Sequence, residues 1–350
     1  MTPGADYWRR LAGRAASVYE RASREPGQAT GSPAAEDLVR LWQANVAGED
    51  ATRFARRLSW DGFDEPGLLP LLTDDELPVT AGLPSWVTWF RLFLTELLDP
   101  AESGDRPDGG RSRSPDETQF RELFTGAVEA AGRELRTRAV DASRVRLSDS
   151  AEQDLGLQLL RLLSRLASPA LDHEFATFRA TVQTSLHAIV RRRTAGPHHH
   201  VYDRFIAFFR THRAADFFLE HAALARLIGQ VIEFWIEAKA EFVLRLHADA
   251  AALEAVFGGT ALGAVVRIAD DRSDRHHRGR TVMICAFESG VRVVYKPKSL
   301  AAEVGFNALL GSLNELLGRR WFRVLRHVDR QDHGWVEYVA HRPCAVPSAL

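Results

Sequence analysis

A lysine at the end of a short β-branched segment is the residue of this chain whose setting most clearly suggests chemistry. Residues Val291–Lys296 read Val-Arg-Val-Val-Tyr-Lys, which predicts a β-strand, and the apolar periodicity of 300–317 predicts a helix directly after it. An ammonium group held at such a strand end is a compact positive charge that can bind a phosphate. The alternative reading is a surface lysine whose stem packs along the strand while its charge stays in solvent.

A second group of candidate residues lies in the loop before the preceding strand, which is predicted over 280–287. Asp274 and His276 stand two residues apart, so both side chains can point the same way from an extended loop. Histidine titrates near neutral pH and can exchange a proton with a phosphate. Gly279 allows the backbone to approach a phosphate, and Arg280 can hold one through paired N–H groups. A solvated, charged loop is the alternative for this group.

The elements that must position these residues follow from periodicity and from turn residues. Helices are predicted over 5–23, 34–58 (as one or two), 85–98, 117–138, 150–167, 170–194, 200–220 and 221–256. Strands are predicted over 264–268, 280–287, 291–296, 321–328 and 335–340, with tight turns at 288–290 and 329–334. Gly290 supplies the positive φ that the first turn needs.

These elements predict an α+β protein with a mostly helical N-terminal region followed by a smaller lobe of antiparallel sheet plus one helix. The predicted domains are a helical region over 1–98, a linker over 99–116 that is rich in Pro, Gly, Ser and Asp, a second helical region over 117–257, and the mixed lobe over 258–350.

Composition excludes several classes of function. The 350 residues carry 45 basic and 46 acidic side chains, a net charge of −1, which argues against a nucleic-acid-binding protein. The chain has two cysteines, no apolar signal core and no apolar run of membrane-spanning length, so we expect a cytoplasmic protein. His198–His200 are consecutive, so their side chains alternate in direction and predict a polar loop; no metal ligand is assigned.

The combination of these motifs resembles the class II lanthipeptide (lantibiotic) synthetases, in the first part of their dehydration domain. The residues that carry the resemblance are Asp274, His276, Gly279 and Arg280, then Val294–Leu300, Phe306–Asn314 and Gly334–Cys344. Shorter matches in the helical region are Trp60–Phe63, Phe120–Phe124, Glu174–Arg179 and Tyr202–Phe205. The resemblance extends over most of the chain and is sharpest over 264–344.

This resemblance implies a kinase-like small lobe and an enzyme that uses ATP and Mg²⁺. Such enzymes phosphorylate Ser and Thr of a lanthipeptide precursor peptide and then eliminate phosphate, which leaves dehydroalanine or dehydrobutyrine. It implies that Lys296, Gly279 and Arg280 contact the nucleotide, and that Asp274 and His276 are catalytic. Protein kinases pair the strand lysine with a glutamate of the next helix. The sequence does not decide between Glu303 and Glu315 for that role.

The chain departs from the family pattern because it stops at Leu350, before the large lobe of a kinase-like fold. No H-x-x-D-x-x-x-x-N or D-F-G run follows residue 300, so the Mg²⁺ ligands are expected beyond residue 350, and a second chain is a possible source of the large lobe and the cyclase. A truncated, non-catalytic remnant that binds precursor peptide or nucleotide is the alternative. An ordinary Ser/Thr kinase is disfavoured because no G-x-G-x-x-G loop is present.

Overall fold

The chain was described from a computed structural model, which shows an α+β protein with helices throughout and one antiparallel sheet. The described residues are 3–23, 33–48, 50–72, 82–98, 119–140, 147–183, 199–258, 261–269 and 277–341. They form two compact units, one comprising 1–104 and 170–230 and the other comprising 105–169 and 231–350. The predicted linker over 99–116 lies outside the described residues.

The first unit is helical and has an aromatic core. Its helices are α1 (Ala5–Arg14), α2 (Val18–Ala22), α3 (Pro33–Ala47), α4 (Ala51–Trp60), α5 (Glu65–Leu71), α6 (Ser85–Leu98), α9 (His199–Phe208) and α10 (Ala214–Glu220). Phe218 packs edge-on against Phe90 and Phe93 of α6, with ring centroids 5.1 and 5.5 Å apart. The hydroxyl of Tyr7 donates to the carbonyl of Ala215 at 2.9 Å, which ties α1 to α10.

The second unit holds the sheet and the helices around it. Its elements are α7 (Thr125–Arg138), most of α8 (Asp149–Gln183) and of α11 (Ala222–Leu253), β1 (Val265–Ala269), β2 (Met283–Phe287), β3 (Arg292–Lys296), α12 (Ala301–Leu316), β4 (His327–Arg330) and β5 (His333–Glu337). The strands lie in the order β1-β2-β3-β5-β4, and each neighbouring pair is antiparallel.

Two helices of this unit contact the sheet, α11 through apolar side chains and α8 through a hydrogen bond. Val293 and Tyr295 of β3 are buried, and the ring of Tyr295 lies 5.2 Å from that of Phe242 in α11. At the β1 edge of the sheet, the carboxylate of Asp154 in α8 accepts a hydrogen bond from the backbone N–H of Ile268 at 2.9 Å. The period-two pattern of β3 therefore directs Tyr295 toward α11 and Lys296 to the opposite face.

The predicted hairpin between β2 and β3 is confirmed. Gly290 has φ of +82°, and its N–H donates to the carbonyl of Phe287 at 2.9 Å. The registers then place Met283 opposite Tyr295 and Lys296 opposite Gly334. The predicted helices at 85–98 and 300–317 are also confirmed within a residue.

Several predicted elements differ from the structure. The helix predicted over 5–23 is two helices, because Ser17 caps the start of α2 with its side chain. The helices predicted on either side of Pro169 are one, since the α8 face with Leu163, Ala167 and Leu171 is buried throughout and outweighs the cost of roughly 3 kcal/mol for an internal proline. Only the last two residues of the strand predicted over 321–328 belong to a strand.

Two asparagines of α12 explain why 321–326 is not a strand. The Oδ1 of Asn314 accepts from the backbone N–H groups of Trp321 and Phe322, each at 2.9 Å, and Asn307 Oδ1 accepts from the Leu325 N–H at 3.0 Å. These side chains bind the backbone N–H groups that a strand would have used to pair with a neighbouring strand.

Across the described parts of the chain, no helix combines the length and the apolar character needed to cross a membrane.

Candidate functional site

Lys296 ends β3 and forms an ion pair with the first turn of the next helix. Its Nζ lies 3.0 Å from Oε1 of Glu303, and the Nζ of Lys298 lies 3.7 Å from the same oxygen. Burial raises the pKa of Glu303, but the hydrogen bond from Lys296 and the charge of Lys298 outweigh it and hold the pKa below its usual range. Of the two glutamates that the sequence left open, Glu303 is therefore the partner of Lys296, and Glu315 is exposed.

A close contact between Leu300 and Gly334 fixes the position of Glu303. Leu300 directly precedes α12 and is fully buried. A Cβ on Gly334, which stands opposite Lys296 in β5, would lie 2.3 Å from Cδ1 of Leu300. Because Gly334 has no side chain, Leu300 packs directly on the strand backbone. This contact sets where α12 begins and brings its first turn to Lys296.

The loop before β2 is held in an unusual backbone conformation. His277, Arg278 and Gly279 have consecutive positive φ angles of 41°, 64° and 84°. A Cβ on Gly279 would lie 3.3 Å from the Cβ of Phe234 in α11, so this glycine meets both the φ requirement and a close approach. Positive φ at the two other residues costs of order 1 kcal/mol each. Contacts elsewhere must offset that cost.

Arg278 and Arg280 supply those contacts by pairing with acidic residues of α11. The guanidinium of Arg278 lies 4.7 Å from the ring centroid of Phe234 and 3.1 Å from a carboxylate oxygen of Glu237. Nε of Arg280 donates to the two oxygens of Glu241 at 3.1 and 3.0 Å. The hydrogen bond with Glu241 raises the pKa of Arg280 above its usual value. A phosphate at Arg280 would compete with this carboxylate for Nε and Nη2.

The registers bring this loop and Lys296 to the same end of the sheet. Met283 begins β2 and stands opposite Tyr295, so the chain that enters β2 passes beside the end of β3. The structure therefore places Gly279 and Arg280 at the sheet end that carries Lys296. Asp274 and His276 lie outside the described residues.

A buried carboxylate at the far end of α11 was missed in the sequence. Asp249 accepts hydrogen bonds from Trp335 Nε1 at 2.7 Å, His333 Nε2 at 2.9 Å and Arg330 Nε at 2.7 Å. It joins α11 to both strands of the β4–β5 hairpin, and it completes a polar row along α11. The members of this row, four residues apart, are Glu233, Glu237, Glu241, Arg245 and Asp249. Their regular four-residue spacing along α11 is the signal that the sequence offered.

The arrangement can supply positive charge to an anion at one sheet end, with Glu303 orienting Lys296. The described residues include no group of three or more His, Cys, Asp or Glu side chains that could hold a metal ion.

The sequence comparisons bear on the same region. A sequence model described as a domain of unknown function (DUF4135) matches residues 221–350. The match starts beside the first residue of α11 and includes the whole sheet and α12. No curated protein sequence matches the chain. The matched segment thus coincides with the helix-on-sheet assembly that carries Lys296, Glu303 and Asp249.

Proposed function

We propose that residues 221–350 form the nucleotide-binding lobe of a kinase-like dehydratase in lanthipeptide biosynthesis. One observation carries this proposal: Lys296 ends the third strand and pairs at 3.0 Å with Glu303 on the helix that follows. Protein kinases hold the lysine that binds ATP phosphates through the same strand-to-helix ion pair. The motif resemblance around Lys296 supplies the dehydratase class, with a precursor peptide as substrate.

In the proposed reaction, Lys296 binds a phosphate oxygen of ATP while Glu303 keeps its ammonium group at the strand end. The γ-phosphoryl group passes to a Ser or Thr oxygen of the peptide, and ADP leaves. A base then removes the Cα proton, the Cβ–O bond breaks, and phosphate departs with the bonding electrons. We assign Asp274 and His276 to phosphate and proton handling by resemblance. Kinases take the Mg²⁺ ligands and the base for phosphoryl transfer from the large lobe, so no residue of 221–350 receives those roles.

Calorimetric titration of the chain with Mg²⁺-ATP tests the nucleotide site, with Lys296→Met as the variant. Loss of one charge-assisted hydrogen bond costs about 1.5–3 kcal/mol. This cost corresponds to a weakening of Kd by roughly 10- to 150-fold. Lys298→Met is the matched control, because Lys298 is a nearby lysine that is 66% exposed and lies farther from Glu303. Equal affinities for the Lys296→Met variant and the unmodified chain, or no binding by either, would refute the proposal.

Chemistry is tested separately by incubating the chain with γ-labelled ATP and a mixture of Ser- and Thr-containing peptides. Label transfer to peptide, or loss of water from peptide seen by mass spectrometry, would exclude a protein that binds nucleotide without reaction. Nucleotide binding with neither transfer nor water loss would favour that alternative.

A further inference from the structure

A charged network lies on the face of the sheet that α11 covers, at the end where β3 carries Lys296. Its members are Arg280 from the loop before β2, Glu241 and Arg245 from α11, Tyr295 from β3 and Asp332 from the turn between β4 and β5. Glu241 and Arg245 are four residues apart, so their side chains leave the same face of α11. We call these five residues the α11 network.

Arg245 joins two strand ends beside Lys296. Its Nη1 donates to the hydroxyl of Tyr295 at 2.8 Å, and its Nη2 donates to the carboxylate of Asp332. Tyr295 directly precedes Lys296 in β3. Asp332 lies two residues before Gly334, the residue of β5 that stands opposite Lys296. Arg245 therefore holds both strands on which the position of Lys296 depends.

Glu241 extends this support to the loop before β2. Its carboxylate pairs with Arg245 and also accepts from Arg280, with Nε at 3.1 and 3.0 Å from the two oxygens and Nη2 on one of them. The side chain of Glu241 is 23% exposed and that of Arg245 is 18% exposed, so solvent screens their pairing less than that of a surface pair. One carboxylate thus connects the loop to both strand ends.

Arg280 has little capacity left for a phosphate. Its Nε and Nη2 donate to Glu241, and its Nη1 donates to the carbonyl of His277 at 2.6 Å, so each of its three nitrogens has a partner. The guanidinium groups of Arg280 and Arg245 are matched by the carboxylates of Glu241 and Asp332. These four groups together carry no net positive charge to attract an anion.

Arg280 and Lys296 also lie on opposite faces of the sheet. Glu241, the partner of Arg280, belongs to α11, which packs on the face of β3 that carries Tyr295. Successive side chains of a strand point to opposite faces, so Lys296 points away from α11 and pairs with Glu303 of α12. A phosphate bound at Lys296 would therefore lie across the sheet from Arg280.

We propose that the α11 network is the positioning support of the nucleotide site, and that Arg280 acts on a bound phosphate only through Glu241, without contacting the phosphate itself. The network holds the loop before β2 and the two strand ends together, and it thereby sets the position of Lys296 from the opposite face. This inference rests on the proposed nucleotide-binding function. It replaces the direct nucleotide contact that the family resemblance implies for Arg280.

Calorimetric titration of the whole chain with Mg²⁺-ATP tests the inference through the sign of one effect. Glu241→Gln keeps the shape of the side chain and removes its charge. If Arg280 only positions the loop, this variant should bind Mg²⁺-ATP about 2- to 10-fold more weakly, which corresponds to one lost hydrogen bond. If Arg280 were a phosphate ligand, the variant should bind more tightly, because the competing carboxylate would be gone. Glu254→Gln is the matched control, since Glu254 is an exposed glutamate directly after α11.

A double variant tests whether Arg280 and Glu241 act as one unit. Arg280→Gln should weaken Mg²⁺-ATP binding by about the same factor as Glu241→Gln. The double variant should bind no more weakly than either single variant, because the second change removes a contact that the first has already broken. The melting temperature of each variant checks that it is folded during the titration.

Hydrogen exchange separates positioning from a general loss of stability. In Glu241→Gln and in Arg280→Gln, the amides of 277–282 should exchange at least tenfold faster, while those of α7 in the same unit keep their rates. Bound Mg²⁺-ATP should slow the exchange of 277–282 in the unmodified chain and in Glu254→Gln, and it should slow this exchange less in Glu241→Gln.

Three results would overturn the inference: tighter or unchanged Mg²⁺-ATP binding by Glu241→Gln, fully additive losses in the double variant, or equal exchange of 277–282 in Glu241→Gln and the unmodified chain. A failure of the proposed function has a different signature. In that case the unmodified chain does not bind Mg²⁺-ATP, or Lys296→Met binds it equally well, and both proposals are lost. Binding that depends on Lys296 but not on Glu241 removes only the positioning role of the network.

Discussion

Replacing Asp249 with alanine should destabilise the sheet more than any exposed substitution near it. Asp249 is 4% exposed and accepts hydrogen bonds from Trp335, His333 and Arg330. The alanine variant removes all three acceptor contacts. It leaves the buried indole N–H of Trp335 without an acceptor. His333 keeps the contact of its Nδ1 with Asp332 at 2.8 Å, and the Arg330 side chain is 43% exposed and can be hydrated.

The magnitude follows from the indole N–H and from the charged network to which it belongs. An unsatisfied buried donor costs about 1–3 kcal/mol. Breaking a buried charged network by removing one member typically costs about 3–5 kcal/mol. We therefore expect Asp249→Ala to lower the free energy of unfolding by about 3 kcal/mol. Trp335→Phe combined with Asp249→Ala should be less than additive by about 1–2 kcal/mol.

Urea titration followed by circular dichroism gives the free energy of unfolding, and hydrogen exchange of the β3 and β5 amides reports on the sheet separately. Asp329→Ala is the matched control, because Asp329 lies exposed on the same hairpin and should change stability by no more than about 0.5 kcal/mol. The reasoning is refuted if Asp249→Ala costs less than about 1 kcal/mol beyond this control, or if its effect adds fully to that of Trp335→Phe.

Two further predictions concern acid stability and the positive-φ glycines. Burial raises the pKa of Asp249, but the hydrogen bonds from its three donors outweigh it and leave the pKa below its usual value. The stability that the Asp249 carboxylate contributes is therefore complete above the unfolded pKa of about 4, and it is lost as pH falls through the folded pKa. Asp249→Asn should flatten the fall in the free energy of unfolding below about pH 4. Equal slopes of that free energy against pH in the variant and the unmodified chain would contradict this. Gly279→Ala should lower the melting temperature more than Gly290→Ala. The two glycines have nearly the same φ, +84° and +82°, but only the Cβ added at Gly279 would meet Phe234, at 3.3 Å. Equal losses of melting temperature would argue against that contact.

Local signals predicted the part of the site that depends on local structure. The alternation of Val293, Val294, Tyr295 and Lys296 gave the strand and its faces, and Gly290 gave the hairpin. Both signals are short-range consequences of side-chain period and allowed φ. The choice between Glu303 and Glu315 required more, since it depends on where α12 begins against β5.

The other contacts of the site join residues far apart in the sequence, and local patterns could not predict them. The carboxylate that faces Arg280 comes from Glu241, on a helix that precedes the predicted loop by more than thirty residues. Sequence reasoning treated Arg280 as available to a phosphate because nothing near it in the chain offered a partner. Asp249 was missed for the same reason, as its three donors all come from the β4–β5 hairpin. The four-residue spacing of charges along α11 indicates a polar face, but it does not identify the surface that this face meets.

The nucleotide site and the α11 network are linked, yet the tests of the two proposals give different results when one of them fails. Lys296→Met removes the cation that would bind a phosphate. Glu241→Gln leaves Lys296 and its partner Glu303 intact, since that pair lies on the other face of the sheet. A chain that binds Mg²⁺-ATP equally well with and without the Glu241 charge would keep the nucleotide lobe and lose the positioning role of the network. The reverse result is not open, because a chain that binds no Mg²⁺-ATP gives the network no site to position, so the Lys296→Met titration comes before that of Glu241→Gln.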